Sequence, residues 1–209
     1  MLNEAIVQER CAFAETLRKV GHDAPTLAGR WTAHDVAAHV VSLDGLGGVP
    51  TFVGRTIVRR GLRLNDVAGK FADRGLWASK RRGFEWALEH LEQHPPRLLL
   101  RNSVAPIGLF EIFVHHEDVR RADPVAQPRV APQGLADVLP WLLRYHRRVL
   151  RDVRLVVRTP AGEHAEGTGA LVTVEGPVAE VVLWLAGRRE ASQAEASGES
   201  TRKVPVLRI

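Results

Sequence analysis

The 209-residue sequence predicts an α+β fold, with a mainly helical domain over residues 1–150 and a small α+β domain over residues 151–209. Three observations carry this expectation. Five stretches before residue 150 repeat their apolar residues at helical spacing. After Arg151 the pattern changes to short β-branched runs separated by Gly and Pro turns. A hydrophobic content of 45% is enough for one medium core or two small ones.

The first helix is expected over residues 4–20, with Ile6, Phe13, Leu17 and Val20 on its apolar side and Gly21 ending it. Cys11 falls in this helix as a small core residue. A loop over residues 22–30 leads to a second helix that starts after Thr32 and stops before Gly45. Thr32 as N-cap and Asp35 at the third helical position form a capping box, and Trp31 is placed to staple against Val36. The Gly-rich run over residues 45–50 fits neither a dinucleotide fingerprint nor a P-loop, which excludes a phosphate cradle there. Residues 51–93 divide into two helical pieces, 62–71 and 82–93, closed by Pro95 and Pro96. The next helix contains residues 110–122 and ends at Asp123 and Pro124. A loop bearing Pro124, Pro128 and Pro132 precedes a helix over residues 133–150, which Pro140 kinks or restarts. Residues 154–158 and 170–174 are expected as strands, 159–162 as a turn and 178–186 as a short helix. Residues 188–203 form a long polar loop, and residues 204–208 a closing strand that Pro205 confines to an edge.

Glu111 and His115 lie four residues apart within the apolar stripe of their helix, flanked by Ile107, Val114, Val119 and Ala122. That spacing directs a carboxylate and an imidazole at one point. A carboxylate facing a core needs a partner, and a divalent cation is one. An isolated pair of this kind is more often a buried Glu–His ion pair or a satisfied core histidine, so a metal site needs a third ligand. His39 is the candidate, because it falls between Val36, Leu43 and Leu46 on the inner face of the second helix. His34 points about 140° away from it and reads as an exposed first-turn residue. His90 and His94 have the same spacing as Glu111 and His115. They occupy the flank of a last helical turn, where capping or solvation suits an imidazole. Asp118 either orients a ligating imidazole through its far nitrogen or pairs with Arg121. His116 packs against a neighbouring helix or faces solvent.

The net charge is +5 and the isoelectric point about 10.1. The arginines come as scattered pairs among acids, with no helix-turn-helix and no basic stripe interleaved with aromatics. Nucleic acid is therefore not an expected partner; attraction of small anionic substrates is the milder consequence. No apolar run approaches a membrane span of about 20 residues, and the N-terminus lacks a secretory pattern. A soluble cytoplasmic protein with no membrane partner is the expectation. One cysteine excludes an intramolecular disulfide and a Cys-rich zinc motif.

The order Trp31-Thr-x-x-Asp-Val-x-x-His39, then Glu111-x-x-x-His115, resembles the N-terminal helical domain of the mycothiol-dependent maleylpyruvate isomerase family. That family belongs to the DinB/YfiT-like group of metal-binding four-helix bundles. Residues 113–122 resemble an actinobacterial subfamily of metal-binding proteins within that group, and residues 174–188 are similar to the family's sterol-carrier-like C-terminal domain. The resemblance covers most of the chain. It implies a DinB-like bundle over residues 1–150 and a sterol-carrier-like domain over residues 151–209. It also implies His39, Glu111 and His115 as the ligands of a divalent metal, zinc by expectation. Two imidazoles and one carboxylate leave a fourth position open, as in catalytic zinc sites. In the family the metal is thought to hold and ionise the thiol of mycothiol, which then attacks or isomerises an electrophilic small molecule. The resemblance thus implies a transferase or isomerase, with mycothiol as cosubstrate. It assigns no further catalytic or cofactor-binding residue; Arg188 is either a partner for a substrate carboxylate or a surface ion-pair residue. The rival expectation is a non-catalytic metal- or small-ligand-binding protein of the same fold.

Overall fold

In the computed structural model, which describes residues 2–44, 75–93, 95, 100–101 and 104–207, the chain opens on α1 (Leu2–Val20). Ile6, Phe13, Ala14 and Leu17 are buried along one side, while Val20 is exposed and Cys11 only partly covered. Gly21 ends α1 with φ +82°, a left-handed conformation in which its N–H reaches the carbonyl of Leu17 at 2.9 Å. Helix α2 (Ala33–Asp44) starts at the expected capping box: Asp35 N–H donates to Thr32 Oγ1 at 3.3 Å, and Thr32 N–H donates to Asp35 Oδ2 at 3.0 Å.

A short helical segment over residues 75–80 turns through Gly83, at φ +96°, into α3 (Phe84–Glu92). The positive φ of Gly83 explains why this helix begins two residues after the expected start. Ala87, Leu88 and Leu91 form its buried side. The Gly-rich run at 45–50, the helix expected at 62–71, Leu46, His94 and Pro96 lie outside the described residues. Helix α4 (Ala105–Arg120) has Pro106 in its first turn, where a missing N–H is tolerated. From Ala105 to Val119 every residue is buried except Gly108 and Glu111, which are partly exposed. An amphipathic stripe cannot be seen in a helix covered on all sides. The loop before α2 is tied to α4 by one bond, from Leu27 N–H to the carbonyl of Asp118 at 2.9 Å.

The described chain separates into two compact units, residues 6–126 in one and residues 127–207 with the first residues of α1 in the other. This break lies earlier than the expected boundary at 150. The reason is α5 (Val138–His146), which follows the 3-10 turn Leu135–Asp137 and packs with the strands instead of continuing the helical unit. Pro140 stands in the first turn of α5, so the restart expected at this proline occurs just before it.

The sheet contains β1 (Val153–Thr159), β2 (Gly162–Glu166), β3 (Ala170–Glu175) and β4 (Glu195–Ser197) in the order β2-β1-β3-β4. β1 pairs antiparallel with β2 and parallel with β3, and β3 pairs antiparallel with β4. Helix α6 (Val178–Leu185), buried from Ala179 onward, contacts β1. β2 is an unexpected strand, because Gly-Glu-His-Ala-Glu offers no β-branched residue; its pairing with β1 overrides that composition. The expected loop 188–203 also holds structure: β4 and the 3-10 turns Arg189–Ala191 and Thr201–Lys203. Buried Glu180 organises this segment, its Oε2 accepting the Gln193 N–H and its carbonyl the Ser192 hydroxyl, both at 2.8 Å. Of the closing strand expected over residues 204–208, the described residues 204–207 form none. Pro205 supplies no N–H, and the segment is held at the end of α6 by Leu207 N–H donating to Leu185 O at 2.8 Å.

To reach the far side of β1, the chain between β2 and β3 crosses close to the start of β1. A Cβ on Gly167, at φ +90°, would stand 2.0 Å from Val153 O and 2.4 Å from Leu150 O. We expect Gly167→Ala to destabilise the protein by more than the ~1–3 kcal/mol that a left-handed non-glycine backbone costs alone, measured as a fall in the denaturant midpoint. Among the described residues no helix is long and apolar enough to cross a membrane.

Candidate metal centre

Helices α2 and α4 bring His39, Glu111 and His115 together. Glu111 Oε2 lies 3.5 Å from His115 Nε2 and 3.9 Å from His39 Nε2. One ligand atom from each residue falls within 4.8 Å of the others. Among the described residues, this is the one group of three His, Cys, Asp or Glu side chains with that property. In a tetrahedral zinc site with bonds of about 2.0–2.1 Å, ligand atoms stand about 3.3–3.4 Å apart; the His115–Glu111 separation of 3.5 Å is close to that spacing, and the His39–Glu111 separation of 3.9 Å is about half an ångström wider. The donor set fits a divalent cation. Its side chains keep 14%, 14% and 11% exposure for His39, Glu111 and His115, so solvent reaches the cluster.

Asp118 stands behind His115, fully buried, with Oδ2 3.0 Å from His115 Nδ1. Of the two roles that the sequence left open for Asp118, the contact with the imidazole is seen. Arg121 also reaches Glu117, whose carboxylate is fully buried: Arg121 Nε donates to Oε2 at 2.6 Å and Arg120 Nε to Oε1 at 3.0 Å. With Nδ1 engaged by a carboxylate, Nε2 is the ring atom of His115 that faces Glu111. Trp31 directs its indole at the same place, its ring centroid 5.0 Å from His39 and 6.3 Å from His115.

Burial alone would raise the Glu111 carboxyl, but the imidazoles of His115 and His39 outweigh it and hold its pKa down to about 2. Burial would lower the His115 pKa, yet Asp118 and Glu111 hold it up at about 9. In protein stripped of metal, the depressed Glu111 contributes stability above the ordinary carboxyl value of 4.5, which is lost as pH falls toward 2. The raised His115 contributes stability below the ordinary imidazole value of 6.5, which is lost as pH rises through about 9. The pair therefore stabilises metal-free protein fully between 4.5 and 6.5. We expect the urea midpoint of metal-free protein to decline between 6.5 and 9, and the decline to flatten in His115→Gln protein.

His116, His90 and His34 make contacts outside the cluster. Buried His116 packs against α1, where Nδ1 lies 2.7 Å from Glu9 Oε1 and Nε2 2.8 Å from Thr16 Oγ1. His90 is 30% exposed, in keeping with partial solvation, and its Nε2 is also 3.2 Å from Asp44 Oδ2. His34, expected to be exposed, is half-buried with its ring edge-on to Phe84 at 5.6 Å. Sequence reasoning missed Glu9, Arg10 and Glu117. Their signal was charge at positions where a helix faces its neighbours, which the apolar stripe alone does not reveal. Arg188 donates from Nη1 to the carbonyl of Ala186 at 2.7 Å.

The chain is thus an α+β protein whose helical unit gathers two imidazoles and a carboxylate that stay partly exposed. Two solved structures are similar to it over nearly their whole length. A crystal structure of a histidine-to-alanine mutant of the mycothiol-dependent maleylpyruvate isomerase superimposes with a TM-score of 0.61 at 14% identity, covering 100% of this chain and 96% of that one. A crystal structure of the mycothiol-dependent maleylpyruvate isomerase superimposes with a TM-score of 0.57 at 15% identity, covering 99% and 93%. At such identities the likeness is one of fold. No family model matches the sequence, and no curated protein matches it.

Proposed function

We propose that the protein is a metal-dependent enzyme of the mycothiol-using transferase or isomerase type, acting in the cytoplasm on a small electrophilic molecule. The observation that carries this reading is the convergence of His39, Glu111 and His115, with Asp118 set behind His115. The fold shared with mycothiol-dependent isomerases supports it. A divalent cation, zinc by expectation, would hold a thiol sulfur there and favour its ionised form at neutral pH. His39 and His115 would each present Nε2, and Glu111 a carboxylate oxygen that offsets part of the positive charge. Asp118 keeps the Nδ1 proton of His115 engaged, so that the ring cannot turn away. In this reading the helical unit is DinB-like and the unit with the sheet is sterol-carrier-like.

The test is a thiol titration of metal-loaded and metal-stripped protein. Mycothiol should bind the loaded form and release about one proton per site as the sulfur ionises, and should bind the stripped form far more weakly. Stoichiometric metal with no thiol binding would leave a non-catalytic metal-binding protein. We also expect no appreciable affinity for duplex DNA or RNA at physiological salt. A tight complex that weakens steeply with salt would contradict a small-molecule role.

A further inference from the structure

We propose that Trp31 is the wall against which the carbon skeleton of the thiol packs, so that the site selects thiols bearing a carbon-rich group next to sulfur. The inference rests on the thiol-binding reading given above. It begins from position: the indole contacts the imidazoles of both His39 and His115, two of the three converging side chains. Trp31 is itself partly exposed, and all three side chains of the cluster keep some exposure. A residue that touches two members of an open cluster and also reaches solvent borders the opening.

The ring is held there by a dedicated mount. The Trp31 carbonyl accepts the Thr26 hydroxyl at 2.7 Å, and Thr26 Oγ1 accepts the Ala28 N–H at 3.1 Å. Just after Trp31, Thr32 bridges to Pro25 and Ala33 N–H donates to Ala24 O at 2.9 Å. The same loop sends Leu27 N–H to the carbonyl of Asp118, the residue that orients His115. Trp31 and the imidazole it faces are therefore positioned through one short segment.

The chemistry follows from contrast. His39, Glu111, His115 and Asp118 offer only polar groups, which have no preference among the organic parts of a thiol. An indole face is a large apolar surface, and the carbon chain of a thiol held at the cluster would lie against it. A ring that merely braced His39 would act on metal retention instead, so the two roles separate by what a substitution changes.

The experiment uses the full chain loaded with cobalt, reading metal content and the sulfur-to-metal charge-transfer band while titrating methanethiol or phenylmethanethiol. Trp31→Ala should keep about one cobalt per chain and bind methanethiol as the parent does. Its affinity for phenylmethanethiol should fall between about 2- and 12-fold, the range an aromatic contact supplies. Trp31→Phe should retain most of the preference, which also guards against misfolding of the alanine variant. Equal affinities for both thiols in parent and variants would overturn the proposal, as would loss of cobalt from both variants. No band with either thiol in the parent protein would overturn the thiol-binding reading and the wall together, an outcome distinct from unselective thiol binding.

Discussion

Glu111→Gln should leave the protein folded but unable to retain a divalent ion. The substitution keeps the size of the side chain and removes only its charge. His115 still has Asp118 at 3.0 Å, so no imidazolium is stranded in the interior. The stability cost should be about 1.5–3 kcal/mol, that of hydrogen bonds to a charged group. Metal affinity should fall much further, by more than the ~10–100-fold that follows removal of a group hydrogen-bonded to a ligand. His39→Ala and His115→Ala should behave alike, although one lies on α2 and the other on α4. His90→Ala is the control, because its imidazole faces Asp44 and not the cluster. Metal content measured by elemental analysis decides the matter. Retention in both ligand variants together with loss in His90→Ala would move the site to another helix.

The largest loss of stability is expected at Arg10. Its guanidinium grips the Asp44 carboxylate with two bonds, Nη1 to Oδ1 at 2.9 Å and Nη2 to Oδ2 at 2.6 Å. It also donates to the carbonyls of Leu91 at 3.1 Å and His90 at 3.0 Å. One side chain thereby joins α1 to the end of α2 and the last turn of α3, in an ion pair whose members are each only 4% exposed. Arg10→Ala leaves the buried Asp44 carboxylate with the His90 imidazole at 3.2 Å but without its guanidinium, removes the donor from two carbonyls, and should cost about 3–5 kcal/mol. The double replacement Arg10→Met with Asp44→Leu removes both charges and should recover much of that loss, since apolar substitutes for a buried pair are often neutral. Denaturant melts of the two single variants and the double variant give the coupling; an additive double variant would mean that the pair does not act as a unit.

The metal cluster was legible in the sequence because its geometry is local. Glu111 and His115 are set by helical spacing, and the capping box at Thr32 and Asp35 fixes where α2 begins and so which way His39 turns. What supports the cluster was less legible. Asp118 had two credible partners, Arg121 and His115, and its contact with His115 is visible only once the rotamers on α4 are set. Trp31 was expected to staple against Val36; that its ring also faces imidazoles from two helices, one of them far away in sequence, was not foreseen. In the sheet, β1 and β3 followed from their valines. β2 and β4 did not, since polar edge strands are made by their neighbours' hydrogen bonds and not by their own side chains. The boundary at 150 was set where strand-like runs begin after Arg151, whereas α5, which precedes them, packs with the strands.

The central claim is that His39, Glu111 and His115 hold a divalent metal with a position open to a thiol. X-ray absorption at the metal edge of zinc-loaded protein, recorded before and after mycothiol, tests it most directly. Before the thiol, the spectrum should show two imidazoles and light-atom ligands at about 2.0–2.1 Å and no sulfur; after it, one sulfur at about 2.3 Å should appear with both imidazoles retained. A metal bound without imidazole, or a spectrum that saturating mycothiol leaves unchanged, would contradict the account.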